Sequence, residues 1–116
     1  MKLFQASLQG LFIVSILVIT YLATYEPSLV SSASLHDKLL HFFCFIYLIM
    51  VLHFSQLISN KYVQYVIVAL YGILIEIVQA FLPYRSFELM DILADLSGIL
   101  IGSFLIICLK RLLPSY

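Results

Sequence analysis

The chain has 116 residues, of which 64% are hydrophobic and 10% charged, and its mean hydropathy is +1.13. Soluble domains carry about 25% charged residues and about 45–50% apolar ones, so the composition is that of an integral membrane protein. A formal net charge of zero with no basic run argues against a nucleic-acid partner.

Four apolar segments follow in chain order. The first begins after Lys2 with an uncharged stretch from Leu3 to Tyr25. That stretch exceeds the apolar core of about 7–15 residues in a cleaved signal peptide, and the expected span is about residues 8–25. A serine-containing connection from Ser28 to Leu35 reads as a loop. The second span is expected at about residues 37–58, the third at about 62–82 before Pro83, and the fourth at about 88–109 before Lys110 and Arg111. Each approaches the ~20 residues that cross ~30 Å of hydrocarbon. Alternating polarity of the kind a barrel strand needs does not appear. The expected fold is one all-α transmembrane domain over residues 1–116, a bundle of four helices.

Basic residues orient it. Lys2, Lys61, Lys110 and Arg111 fall at one face, Lys38 and Arg85 at the other, where Glu26, Asp37 and Glu88 accompany them. The positive-inside bias predicts that both termini are cytoplasmic. Cys44 and Cys108 then lie near opposite faces, too far apart for a disulfide, and read as small buried hydrophobes.

The ionisable residues within these spans are the informative ones, because a charge at the centre of a membrane helix costs about 2.5–3.5 kcal/mol on insertion scales. Glu76 lies roughly 9 Å below the outer end of the third span at about 1.5 Å per residue. Asp95 is one turn below Asp91, and His41 one turn below Asp37. By this count Asp37, His41, Glu76, Gln79, Arg85, Asp91 and Asp95 all fall in the outer third of the bundle.

Angular position agrees with depth. Asp91, Asp95, Gly98 and Gly102 form one stripe of the fourth helix; Ala69, Gly72, Glu76 and Gln79 share a face of the third; Asp37, His41, Cys44 and Leu48 line up on the second. Small residues beneath polar ones predict a polar pocket above a tightly packed waist. Arg85 is expected to fork two carboxylates. Acid still outnumbers base, so either a carboxyl is protonated or a cation or cationic ligand completes the cluster. The competing reading is a buried ion network that only holds the helices in register. His53, Gln56 and Asn60 read as interhelical or interfacial groups, and His36, Glu26 and Glu88 as solvated loop residues.

Standard catalytic signatures are absent: no nucleophile elbow, phosphate loop, HExxH or Cys–His zinc spacing occurs. Asp37, His41, Glu76, Asp91 and Asp95 have the donor types for a divalent ion but no recognised ligand spacing, so neither metal nor cofactor is expected. Any chemistry would fall to His41 or Glu76 as general acid or base. Asp37, Lys38, Gln79, Arg85, Asp91 and Asp95 are the candidate ligand-binding residues.

Three blocks resemble a known pattern. Asp37-Lys38-Leu39-Leu40-His41-Phe42 looks like the D-K-x-x-H-F start of the second helix in the VanZ-like family. Tyr71-Gly72, then Glu76-x-x-Gln79, Phe81, Pro83 and Arg85, resembles its third-helix block. Asp91 with Ala94, Gly98 and Gly102 resembles its fourth, except that Asp95 stands where the family usually has asparagine. The resemblance covers about residues 37–102. It implies a small bacterial inner-membrane protein acting on or near the cell envelope; the family takes its name from low-level teicoplanin resistance. With the orientation above, the site is expected to face the extracytoplasmic side.

Three functions follow as expectations. In the first, the pocket holds the polar head of a lipid, a polyprenyl-linked intermediate or a lipidated glycopeptide. In the second, the chain is an interaction subunit of an envelope enzyme. In the third, it is a proton- or cation-linked transporter. A bundle this small also admits a membrane-protein partner or a second copy of itself.

Overall fold

A computed structural model describes residues 2–25, 34–85 and 87–112, with the side chains of residues 34–37 outside the description. It contains four helices, α1 (Lys2–Thr24), α2 (Ser34–Ser55), α3 (Lys61–Ala80) and α4 (Leu89–Leu112). All four are long and apolar enough to cross a membrane, as expected, and the described residues contain no strand. The bundle measures 47 × 24 × 23 Å, which matches the ~40–45 Å of a bilayer with its headgroups.

Helix ends differ from the expected ones for local reasons. α1 is already helical at Lys2, the first described residue; along it Ser7 Oγ donates back to Leu3 O at 3.0 Å, and Gln9 Nε2 reaches Ser55 O at 3.0 Å. α2 stops at Ser55 because Gln56 takes φ 57°, the left-handed position that closes a helix. Ser55 Oγ then accepts from Leu57 N at 3.2 Å. Asn60 caps α3, its side chain accepting from Tyr62 N and Val63 N. α4 continues to Leu112 with Lys110 and Arg111 in its last turn, where cations suit the helix dipole.

The helices run alternately up and down. Gln9 on early α1 meets Ser55 at the end of α2, and His53 on late α2 meets Gln64 on early α3. At the far end, Gln79 on late α3 reaches Ala23 on late α1, and Lys38 on early α2 meets Glu88 before α4. α2 is the hub: it packs against all three others, most extensively against α4, while α1 does not touch α4. Phe45, Leu48, Ile49 and Leu52 of α2 form the core with Phe12, Val68, Ile99 and Ile106. Leu74, Leu93, Leu100 and Phe104 face outward, as helices bathed in lipid require.

The α2–α4 contact depends on two glycines. A Cβ on Gly98 would lie 2.5 Å from Phe42 O and 3.0 Å from Phe45 Cβ. One on Gly102 would run into Ile49 Cγ2 and lie 3.2 Å from Ile46 O. The small-residue stripe therefore faces the backbone of α2. By contrast Gly10 on α1 has nothing within 4 Å of its missing Cβ.

Gly98→Ala is expected to destabilise the bundle by about 1–3 kcal/mol through overpacking against backbone, whereas Gly10→Ala should be neutral or stabilising by up to ~1 kcal/mol through helix propensity. Thermal unfolding of the two variants in the same detergent, followed by far-UV circular dichroism, measures the difference.

Candidate functional site

The described carboxylates, with Lys38, His41 and Arg85, gather at the end of the bundle where α2 and α4 begin and α3 ends. Glu76, Asp91 and Asp95 are all buried, at 0%, 2% and 1% exposure. Each reaches this position because its helix turns a stripe of small or polar residues inward: Gly72, Glu76 and Gln79 on α3, and Asp91, Asp95, Gly98 and Gly102 on α4.

His41 stands at the centre. Its Nδ1 is 2.8 Å from Asp95 Oδ1. Its Nε2 is 3.7 Å from Glu76 Oε1 and 3.8 Å from Asp91 Oδ2. Phe45, one turn along α2, stacks on the imidazole with ring centroids 6.5 Å apart. Gly72 makes room for this pair: a Cβ there would lie 2.7 Å from Asp95 Oδ2 and 3.0 Å from the Phe45 ring. Asp95 thus supplies the acceptor that orients His41, a role that an asparagine oxygen would also fill.

Lys38 forms the rim. Its Nζ lies 2.6 Å from Glu88 Oε2 and 3.6 Å from Asp91 Oδ1. Glu88 also donates its backbone N–H to Glu76 Oε2 at 3.1 Å. Glu88, expected to be a solvated loop residue, is therefore part of the network. A signal for it lay in its place three residues before Asp91, in the turn that leads into α4. Asp37 lies in the first turn of α2, but its side chain is outside the described residues, as are Glu26 and the His36 side chain.

Arg85 behaves differently from expectation. Among the described residues it pairs with no carboxylate; its Nη2 donates to Leu22 O at 3.2 Å and to Tyr25 O at 3.1 Å. Gln79 Nε2 donates to Ala23 O at 3.0 Å, and Tyr84 OH to Thr24 O at 2.5 Å. The last carbonyls of a helix have no partner within it. Here four consecutive ones at the end of α1 receive donors from α3 and the segment after it. The guanidinium is drawn to these carbonyls because they carry the negative end of the α1 dipole.

A groove opens beside the cluster, between α1, α2 and α3. Its walls are largely apolar, with Ile19, Leu22 and Ala23 from α1, Leu40, Cys44 and Phe45 from α2, and Ile75 from α3. His41, Gln79 and Arg85 are its polar lining. Glu76, Asp91 and Asp95 do not line it; His41 stands between them and the groove.

At the opposite end, His53 Nδ1 pairs with Gln64 Oε1 at 3.0 Å, and Gln64 Nε2 donates to Ile58 O at 2.5 Å. His53 is an interhelical group, as expected; its fully buried partner Gln64 was not singled out from the sequence. Cys44 and Cys108 are free.

The fold and its buried carboxyl groups define a small polytopic membrane protein with a cluster of ionisable side chains at one end of its helix bundle. The VanZ/LLP1 family model matches residues 4–111, and the chain belongs to that family. It is also similar to the Schizosaccharomyces pombe protein described as uncharacterized protein C11E3.10, with 33% identity over 93 residues, covering 77% of this chain and 56% of that one. The chain thus spans little more than half the length of this relative. No solved structure matches it.

Two outcomes follow from the geometry. Asp95→Asn keeps an acceptor for His41 and should stay within about 1 kcal/mol of the wild type, whereas Asp95→Ala breaks a buried pair and should cost about 3–5 kcal/mol. Arg85→Ala should cost about 1.5–3 kcal/mol, the range for hydrogen bonds from a charged donor, with the loss confined to α1. Denaturation in detergent measures the totals, and hydrogen exchange along α1 localises the second.

Proposed function

We propose that this chain binds the polar head of an amphiphile, with the hydrocarbon tail lying in the groove between α1, α2 and α3. The observation that carries this reading is the groove itself: a largely apolar groove whose polar lining, among the described residues, is His41, Gln79 and Arg85. Arg85 would meet an anionic head, and His41 would present the imidazole that the buried carboxylates hold in place. Lys38, Asp91 and Asp95 would act from behind as the charges that fix His41. Asp37 belongs to the same end of α2.

The chemical class is a lipid, a polyprenyl-linked envelope intermediate or a lipidated glycopeptide of the teicoplanin kind. Lys2, Lys61, Lys110 and Arg111 at the opposite end of the bundle support an extracytoplasmic site in a bacterial cytoplasmic membrane with both termini inside. Binding is favoured over proton or cation transport because Phe45, Leu48, Ile49 and Leu52, all buried, separate His41 from His53 along α2. The reading of the cluster as pure architecture for a protein partner predicts that no amphiphile is held.

Native mass spectrometry of the protein in mild detergent tests this. The wild type should retain a discrete lipid or lipid-linked species. Ala23→Leu, which fills the groove without touching the charge cluster, should lose it, and Arg85→Gln should weaken retention by about tenfold or more, roughly 1.4 kcal/mol. Equal retention by the wild type and Ala23→Leu would place the amphiphile elsewhere and sink the proposal. A stoichiometric protein partner in place of a lipid would make the interaction subunit the better reading.

A further inference from the structure

We propose that His41, Glu76 and Asp91 form a binding site for one divalent transition-metal ion. This proposal stands on the cluster behind the groove and does not depend on the amphiphile reading.

The first observation is spacing. One donor atom from each of the three residues lies within 4.8 Å of the others. His41 Nε2 is 3.7 Å from Glu76 Oε1 and 3.8 Å from Asp91 Oδ2. These separations exceed the ~2.7–3.2 Å of a nitrogen–oxygen hydrogen bond. They lie near the ~3.4 Å edge of a tetrahedron with zinc bonds of about 2.0–2.2 Å. His41 Nε2 is beyond hydrogen-bond distance of both oxygens, Glu76 and Asp91 are close enough to share a proton, and all three donors are close enough to share an ion.

The second observation is independent of spacing. Glu76 has 0% exposure, and while its Oε2 accepts from Glu88 N, its Oε1 has no donor other than a proton shared with Asp91. That oxygen faces His41 and Asp91. A buried acceptor without a donor costs about 1–3 kcal/mol, and more when charged. Two facing carboxylates raise the cost further unless a proton or a cation lies between them. Lys38 Nζ is bound to Glu88 at the rim at 2.6 Å and reaches Asp91 Oδ1 at 3.6 Å, so it offsets part of this charge from outside the cluster.

The imidazole is set up for the same role. Its Nδ1 faces Asp95 Oδ1 at 2.8 Å, so donation there directs the Nε2 lone pair towards Glu76 and Asp91. Metal-binding histidines are held by such a carboxylate behind them. Asp95 is then a positioning residue, not a ligand. The donors are nitrogen and oxygen without sulfur, which suits zinc, manganese or iron. Three protein ligands would leave a position open, as in catalytic zinc sites.

The test uses the full chain in detergent, stripped with chelator and dialysed against Co²⁺ or Zn²⁺ alone. The wild type should take up one ion per chain, and bound Co²⁺ should show visible d–d bands with no sulfur charge-transfer band. Glu76→Gln and Asp91→Asn should each bind at least about 100-fold more weakly, and Asp95→Asn about 10–100-fold more weakly, the range for a residue behind a ligand. Circular dichroism checks that each variant keeps its helices. The wild-type cobalt spectrum stands even if a variant fails to fold. Absence of stoichiometric uptake by the wild type would leave a shared proton as the bridge between Glu76 and Asp91, and would overturn the proposal. Uptake unchanged in Glu76→Gln would overturn it as well. Neither result bears on whether Ala23→Leu loses an amphiphile, so the two readings fail separately.

Discussion

Everything at the acidic end of this bundle depends on keeping Glu76, Asp91 and Asp95 away from hydrocarbon. Three carboxylates on two membrane helices are tolerable only if every lipid-facing direction is closed by protein. The closure comes from the approach of α2 to α4, where Gly98 sits against the Phe42 carbonyl and Gly102 against Ile49. Their missing side chains let α2 come near enough for His41 to reach both Asp91 and Asp95. Gly72 does the same on the α3 side by leaving room for Asp95 and the Phe45 ring. The apolar waist and the charged end are therefore one construction. Widening the first would expose the second.

α1 enters on different terms. It presents mostly lipid-facing side chains and does not touch α4. Its attachment near the charged end relies on Gln79, Tyr84 and Arg85 bonding to the carbonyls of Leu22, Ala23, Thr24 and Tyr25. A second tie lies lower down, where Tyr71 OH bonds Thr20 Oγ1 at 2.7 Å and Ile16 O at 3.2 Å. Hydrogen bonds at a few points hold two helices together without sealing them along their length. That leaves the apolar groove beside His41. Gln79 and Arg85 thus both line the groove and fasten its α1 wall.

His41 is where these two parts meet. One side of the ring belongs to the carboxylate cluster and the other to the groove. A group in the groove would therefore encounter the charges of Asp91 and Glu76 only through the imidazole, or through an ion that the imidazole helps to hold. Membership of the VanZ/LLP1 family accounts for the order of the motifs. Their chemistry has to be read from this junction.

Much of this was legible in the residues. Span-length apolar runs set the four helices, because a segment that must satisfy its own backbone in lipid has to be helical. The periods of Asp91, Asp95, Gly98 and Gly102, and of Gly72, Glu76 and Gln79, identified the inward faces, since helix geometry alone relates spacing to angle. The gathering of His41, Glu76, Asp91 and Asp95 at one depth followed from counting along antiparallel helices. Partner choice did not follow. Arg85 was expected on carboxylates and bonds α1 carbonyls, because only the packed bundle brings the negative end of that helix beside it. Glu88 was read as solvated and joins the network, because the turn before α4 folds its backbone onto Glu76. The sequence determined that Glu76, Asp91 and Asp95 would be buried and at what level, through helix period and the cost of charge in lipid. The tertiary structure alone decided which polar atoms meet, because hydrogen-bond reach is a matter of an ångström and depends on how closely the glycines let the helices approach.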